Sequence, residues 1–237
     1  MKKPLGHKSY GSIGHLHNSR LGPGDHKVDI GQHRLCVEKC PKNWRIIVQE
    51  KLDGSCVSAA KINGEIIALG RAGYKAYTSP YSHIREFQNW VNIHRGKLNY
   101  LLREGERVVG EWMLLQVSIP YVIKDYTNLF VPFDLINGHL NRATSNEVVE
   151  RCREIKISGP NVIHMGPSIN PQHIAGRHLL HPDVTAQEIP EGFVYRAESD
   201  GQVKFLAKWV KEDHEPGKWL PGDSKQKEKY NDILLTQ

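Results

Sequence analysis

The chain has 237 residues, enough for one large domain or two small ones with a sizeable core. At 39% hydrophobic and 24% charged residues it reads as a soluble globular protein, with no apolar stretch near the ~20 residues of a membrane helix and no secretory signal behind Met1-Lys2-Lys3. The net charge of +6 favours polyanionic partners, and four cysteines in so long a chain make no disulfide framework, so a reducing, cytoplasmic setting is expected.

Residues 1–43 are rich in Gly, His and Asn. The runs Gly11-Ser12-Ile13-Gly14-His15-Leu16 and Leu21-Gly22-Pro23-Gly24-Asp25 lack helical or strand periodicity and read as an ordered loop packed on a core. They are no phosphate-binding P-loop, because no Gly-Lys-Ser/Thr follows. His33, Cys36 and Cys40 lack Cys-x-x-Cys spacing and a second pair, so the cysteines read as buried structural residues rather than zinc ligands.

Regular structure is expected from Trp44 onward. Residues 44–50, 55–61 and 65–70 read as strands, and Asn63-Gly64 is a tight hairpin turn. Two-residue pairing then sets Cys56 opposite Arg71, which carries Arg71 back beside Lys51. Residues 82–94 form an amphipathic helix with Ile84, Phe87, Trp90 and Val91 on one face and Ser82 as its cap. Strands follow at 106–115 and 128–136, then a turn at Asn137-Gly138. A second helix spans 144–155, with Thr144 and Glu147 spaced as a capping box. Residues 161–190 read as irregular.

Residues 191–198 and 202–211 form a second hairpin about Asp200-Gly201. Uninterrupted pairing sets Phe193 opposite Lys208 and Ala197 opposite Lys204. Glu191, Phe193, Tyr195, Lys204 and Lys208 would then share one face, as a surface ion-pair ladder or the floor of a phosphate site.

Five motifs now stand in order. They are Glu50-Lys51-Leu52-Asp53-Gly54, then Gly110-Glu111-Trp112-Met113, then Phe130-Val131-Pro132-Phe133-Asp134, then Glu191-Gly192-Phe193-Val194-Tyr195-Arg196, then Val203-Lys204-Phe205-Leu206-Ala207-Lys208. Over about residues 10–215 this order resembles the covalent nucleotidyltransferases, the superfamily of ATP-dependent DNA and RNA ligases and mRNA capping enzymes. The N-terminal runs and Phe205-Leu206-Ala207-Lys208-Trp209-Val210 are most similar to the RNA ligase 2-like branch.

The resemblance implies an α+β, ATP-grasp-like nucleotidyltransferase domain of two antiparallel sheets flanked by helices. It would occupy residues 44–215, with residues 1–43 packed on it, a tail at 216–237 and no C-terminal oligonucleotide-binding domain. Lys51 would be the nucleophile that takes AMP from ATP. Glu50, Arg71, Glu111, Phe133, Lys204 and Lys208 would bind the nucleotide, with Arg71 and Glu111 at the ribose, Phe133 on adenine and the lysines at the α-phosphate. Glu191 would hold Mg²⁺ or Mn²⁺. AMP would pass to an RNA 5′-phosphate, and a 3′-hydroxyl of nicked or single-stranded RNA would then seal the strand, as in RNA repair. A monomer acting away from membranes is expected. A minimal DNA or dual-polymer ligase and a non-catalytic nucleic-acid-binding relative remain open alternatives.

The sequence departs from the family pattern at two positions. Cys56 stands where the family commonly has Asn, and Leu206 stands where a second lysine often precedes Lys208. The chemistry needs a neutral amine at Lys51, whose ordinary pKa is near 10.4, and Arg71, Lys204, Lys208 and a bound metal are expected to lower it.

Overall fold

The computed structural model describes residues 2–176, 181–221 and 227–234. Residues 177–180, within the stretch read as irregular, and Gly222 and Lys225 of the tail lie outside the described residues.

Two five-stranded sheets carry the fold, an α+β architecture. The first has the order β1 (Gly14–His15), β12 (Gln202–Val210), β11 (Gly192–Ser199), β2 (Trp44–Glu50), β9 (Val162–Gly166). It is antiparallel except for the β1–β12 pair. The second is antiparallel throughout, in the order β4 (Glu65–Gly70), β3 (Ser55–Ile62), β5 (Glu106–Trp112), β7 (Phe130–Asn137), β8 (Asn141–Arg142). A third sheet, not anticipated, joins β10 (Val184–Ala186), β6 (Tyr121–Ile123) and β13 (Asp232–Ile233).

Helices α2 (Ser82–Ile93), α3 (Arg95–Leu101) and α4 (Ser145–Glu154) pack on the second sheet, and α1 (Ile30–Val37) packs on the first. The apolar face read from α2 is buried in the larger core, where Phe87, Trp90, Trp112 and Phe130 meet ring to ring. Truncating any one of these rings would cost about 3–5 kcal/mol. A second core lies under the first sheet and includes Ile46, Val48, Phe193, Tyr195 and Ala207.

Regular structure begins earlier than Trp44. In α1, Asp29 and Gln32 form a capping box, and Cys36 is buried. Its eight residues are too few to display a clear period. The 161–190 stretch contains β9 and β10, which are short and owe their form to neighbours rather than to propensity. Thr144 caps α4 by accepting the Glu147 N–H, whereas Ser82 is no cap: its hydroxyl donates to Glu228.

Asn63 and Gly64 adopt left-handed φ of 51° and 76°, and pairing runs from Ile62↔Glu65 to Val57↔Gly70, as the turn requires. The second hairpin also turns on left-handed residues, Asp200 and Gly201. There the uninterrupted pairing fails. Glu198 pairs with Val203 but Ala197 with Phe205, so Lys204 is the extra residue of a bulge. Beyond it Lys208 pairs with Val194 and Phe193 with Trp209. Phe193 and Tyr195 therefore face the core, while Lys208 shares the opposite face with Leu206, Val194 and Arg196.

Candidate active site

Strand β2 ends at Glu50 in the first sheet, and β3 begins at Ser55 in the second, so residues 51–54 sit where the sheets meet. The Lys51 N–H donates to the Gly192 carbonyl at 2.9 Å, which fixes the lysine against β11. A Cβ on Gly54 would stand 2.7 Å from the Trp112 carbonyl oxygen and 3.1 Å from Cγ of Glu111, so a glycine is needed for this close crossing. Asp53 Oδ2 accepts the Ser118 and Ile119 N–H groups at 2.7 and 3.1 Å.

The junction opens into a cleft of about 270 Å³. Glu50, Lys51, Arg71, Glu111, Phe133 and Lys208 all line it. The N-terminal segment crosses its mouth. Ser9 and Tyr10 donate backbone N–H groups to the Arg71 carbonyl on the second sheet, and His15 then pairs with Lys208 on the first. Tyr10, Gly11 and Ile13 line the cleft on the way, and Tyr10 meets Phe133 edge-on at 5.3 Å. Arg71 Nη2 donates to the Gly11 carbonyl at 3.3 Å, and Asn161 Nδ2 to Glu50 Oε2 at 2.9 Å.

Lys204 is not brought to the cleft. The bulge leaves it exposed, with Nζ donating to Gln202 at 3.0 Å. Lys208 is the cleft lysine, and Asp25 holds it at 3.2 Å. Asp25 also meets the buried His15 at 3.1 Å. Burial works against the Asp25 carboxylate, but the Gly22 N–H and Lys208 bring its pKa down to about 2.

Glu191 does not join Lys208 in a ladder on one face but reaches Lys51: Lys51 Nζ donates to Glu191 Oε2 at 2.5 Å. Burial disfavours the Lys51 ammonium, but Glu191 foremost, with Glu111 and Asp53, outweighs it and raises the Lys51 pKa. Among the protein's own groups, the lowering expected from Lys204 and Lys208 is therefore outweighed. The charges beside the amine are carboxylates, while Lys204 points away and Lys208 is paired with Asp25. Burial likewise raises Glu111 to about 8, with Lys51 offsetting in part and Asp53 and Glu191 adding. Burial and Glu191 raise Asp53 as well.

His214 completes this cluster, with Nε2 3.7 Å from Glu191 Oε1. Ligand atoms of Asp53, Glu191 and His214 lie within 4.8 Å of one another, and all three residues are buried. Two carboxylates and an imidazole are a donor set suited to a divalent ion. The sequence reading had Asp53 only as a turn residue and passed over His214, which no spacing marks. Below the cleft, Arg196 of β11 donates from Nη2 to Asp134 Oδ1 of β7 at 3.0 Å, and Arg142 also pairs with Asp134. This buried clasp joins the two sheets.

Residues 45–210 match the RNA ligase family model, and the chain belongs to that family. No curated protein matches. Among solved structures, a lysine-to-alanine variant of the Naegleria gruberi RNA ligase with ATP and Mn is similar at 15% identity and a TM-score of 0.55, over 86% of this chain and 56% of that one. A glutamate-to-alanine variant, also with ATP and Mn, gives 17% identity and a TM-score of 0.52 over 84% and 59%. An archaeal ATP-dependent RNA ligase gives 18% identity and a TM-score of 0.45 over 70% and 42%. The chain thus spans roughly half the length of these proteins, and the likeness is one of fold.

Proposed function

We propose that this chain is an ATP-dependent RNA ligase of the RNA ligase 2-like branch, with a nucleotidyltransferase domain at residues 44–215 on which residues 1–43 pack. The observation that carries this reading is the meeting of Lys51 with Glu111, Arg71, Phe133 and Lys208 in one cleft between two sheets, with Glu191 paired to the Lys51 amine. Membership of the RNA ligase family and the fold shared with ligases solved with ATP and Mn support it.

In this reading the neutral Lys51 amine attacks the α-phosphorus of ATP. An N–P bond forms, the bond to the bridging oxygen breaks, pyrophosphate leaves with that bond's electron pair, and the surplus amine proton passes to solvent water. Phe133 and Tyr10 offer apolar ring surface to the base. Arg71 and Glu111 stand on the cleft wall for the ribose. Lys208, poised on Asp25, neutralises charge on the phosphate in transfer. AMP then passes to an RNA 5′-phosphate, and a neighbouring 3′-hydroxyl displaces it to seal the strand.

Glu191, bonded to Lys51 Nζ, is the foremost charge that raises the Lys51 pKa and favours its ammonium form. A divalent ion, Mg²⁺ or Mn²⁺, held by Asp53, Glu191 and His214 would supply positive charge that relaxes this hold and lowers the Lys51 pKa.

The test is incubation of the whole chain with α-labelled ATP and a divalent metal. Label should become attached at Lys51, and Lys51→Ala should take up none. Absence of label on the wild type, or retention on the variant, overturns the proposal. Nicked RNA, DNA and hybrid duplexes assayed in parallel give the polymer preference.

A further inference from the structure

Two segments outside the cleft form one surface. Residues 2–10 and 71–85 carry Lys2, Lys3, Lys8, Arg71, Lys75 and Arg85 and not one Asp or Glu. They are held together: the Ser9 N–H donates to the Arg71 carbonyl at 3.1 Å, and Gly73 packs so tightly on the His7 carbonyl that a Cβ would stand 2.2 Å from it. Lys3 Nζ lies 5.1 Å over the Tyr74 ring, and Lys75 Nζ 5.8 Å from the Tyr77 ring.

Three tyrosines stand out of this surface within eight residues. Tyr74 is 41% exposed, Tyr77 56% and Tyr81 62%. Lys3 and Lys75 approach the first two rings and His83 the third, yet all three tyrosines remain exposed to solvent. The backbone beneath is firm. Arg85 Nη1 donates to the Ser79 and Pro80 carbonyls at 2.8 Å each, and the Thr78 N–H donates to the Lys75 carbonyl at 3.0 Å. Two carboxylates border the segment at its helical end: Glu86 accepts from Tyr126 and Asn89, and Glu228 accepts from Ser82 and Tyr230 and stands 3.6 Å from His83.

Exposed rings among cations, in segments that themselves carry no Asp or Glu, are the chemistry that holds a single-stranded nucleic acid: bases stack on the rings while cations track the phosphates. A duplex keeps its bases stacked on one another and would use the cations alone. The surface is continuous with the cleft, because Arg71 and Tyr10 belong to both.

We propose that residues 74–81, with Lys3 and Lys8 beside them, are a stacking platform for single-stranded RNA leading to the cleft. The proposal rests on the RNA ligase reading and gives it a substrate preference, a strand unpaired next to the joining end. The two fail separately, because the platform is read by binding without ATP and the ligase reading by label at Lys51.

The experiment measures fluorescence anisotropy of a dye-labelled 12-nucleotide single-stranded RNA with the full chain. The variants are Tyr77→Ala/Tyr81→Ala and Tyr77→Phe/Tyr81→Phe. The alanine pair should weaken binding roughly tenfold or more, and the phenylalanine pair should retain it, because the ring face does the stacking. Lys8→Gln/Lys75→Gln should flatten the salt dependence by about 1.4 in slope, near 0.7 per phosphate contact. Label uptake at Lys51 should be unchanged in all three. Unchanged RNA binding by the alanine pair overturns the proposal. So does wild-type preference for a duplex of equal length, or for anionic vesicles over RNA.

Discussion

Replacing Asp134 with Asn tests the clasp beneath the cleft. Asp134 is fully buried, with Arg196 at 3.0 Å on one oxygen and Arg142 on the other. Arg196 is itself 2% exposed and keeps two carbonyl partners, Ala143 at 3.0 Å and Phe133 at 3.1 Å. Arg142 keeps the Tyr10 ring, 4.9 Å from its guanidinium carbon. Asp134→Asn preserves shape and one acceptor but removes the carboxylate that both guanidinium groups contact, leaving Arg196 only the field of Glu198. Removing one partner of a buried ion pair costs about 3–5 kcal/mol. The acceptor that Asn retains argues for the lower end, about 3 kcal/mol. In a domain of this size that lowers Tm by roughly 6–12 °C. Urea unfolding of wild type, Asp134→Asn, Arg196→Met and the double variant reads the coupling directly. A loss below about 1 kcal/mol, or single losses that simply add, would refute the idea that this pair binds the two sheets together.

Other expectations follow from the same geometry. Lys208→Ala should cut label uptake by about a hundredfold, the scale of losing one charge-stabilising group, while Lys204→Ala should leave it near wild type. Gly54→Ala should cost about 1–3 kcal/mol in urea unfolding and depress labelling, since its Cβ would press on the Trp112 carbonyl and Glu111. Glu111 holds its proton to about pH 8 when folded, against an ordinary value of 4.5, so the native state binds more protons between those limits and stability should fall as pH rises through them. Urea midpoints measured across that range should flatten in Glu111→Gln. Because an imidazole stands with the two carboxylates, Mn²⁺ should support labelling at lower concentration than Mg²⁺, and His214→Ala should narrow that gap. The metal-induced rise in Tm gives an independent readout.

Local signals were legible where chemistry is local. Asn63-Gly64 and Asp200-Gly201 name their turns because few other residues accept left-handed φ, and the first hairpin keeps the register its turn sets. The second does not, because the bulge at Lys204 sits inside a run with no glycine or proline to mark it. One residue of slip moved Lys208 to the face opposite Phe193, so a face drawn from alternation alone mixed core with cleft. The strands β9 and β10 and the helix α1 were missed for a related reason: each is short, and its pattern is weaker than the contacts that form it.

The charge state of Lys51 shows the limit most clearly. The sequence alone determined the place of Lys51 at a strand end and the turns that flank its strands, because turn chemistry and hydrophobic period are written residue by residue, and it carried the order of the motifs whose resemblance implies the α+β fold. Only the tertiary structure decided which charges surround that amine. It paired Lys208 with Asp25 and turned Lys204 outward. It also brought Glu191, Asp53 and the unmarked His214 to one point. Electrostatic sign depends on distances of a few ångströms between residues far apart in the chain, and only the folded backbone sets those distances.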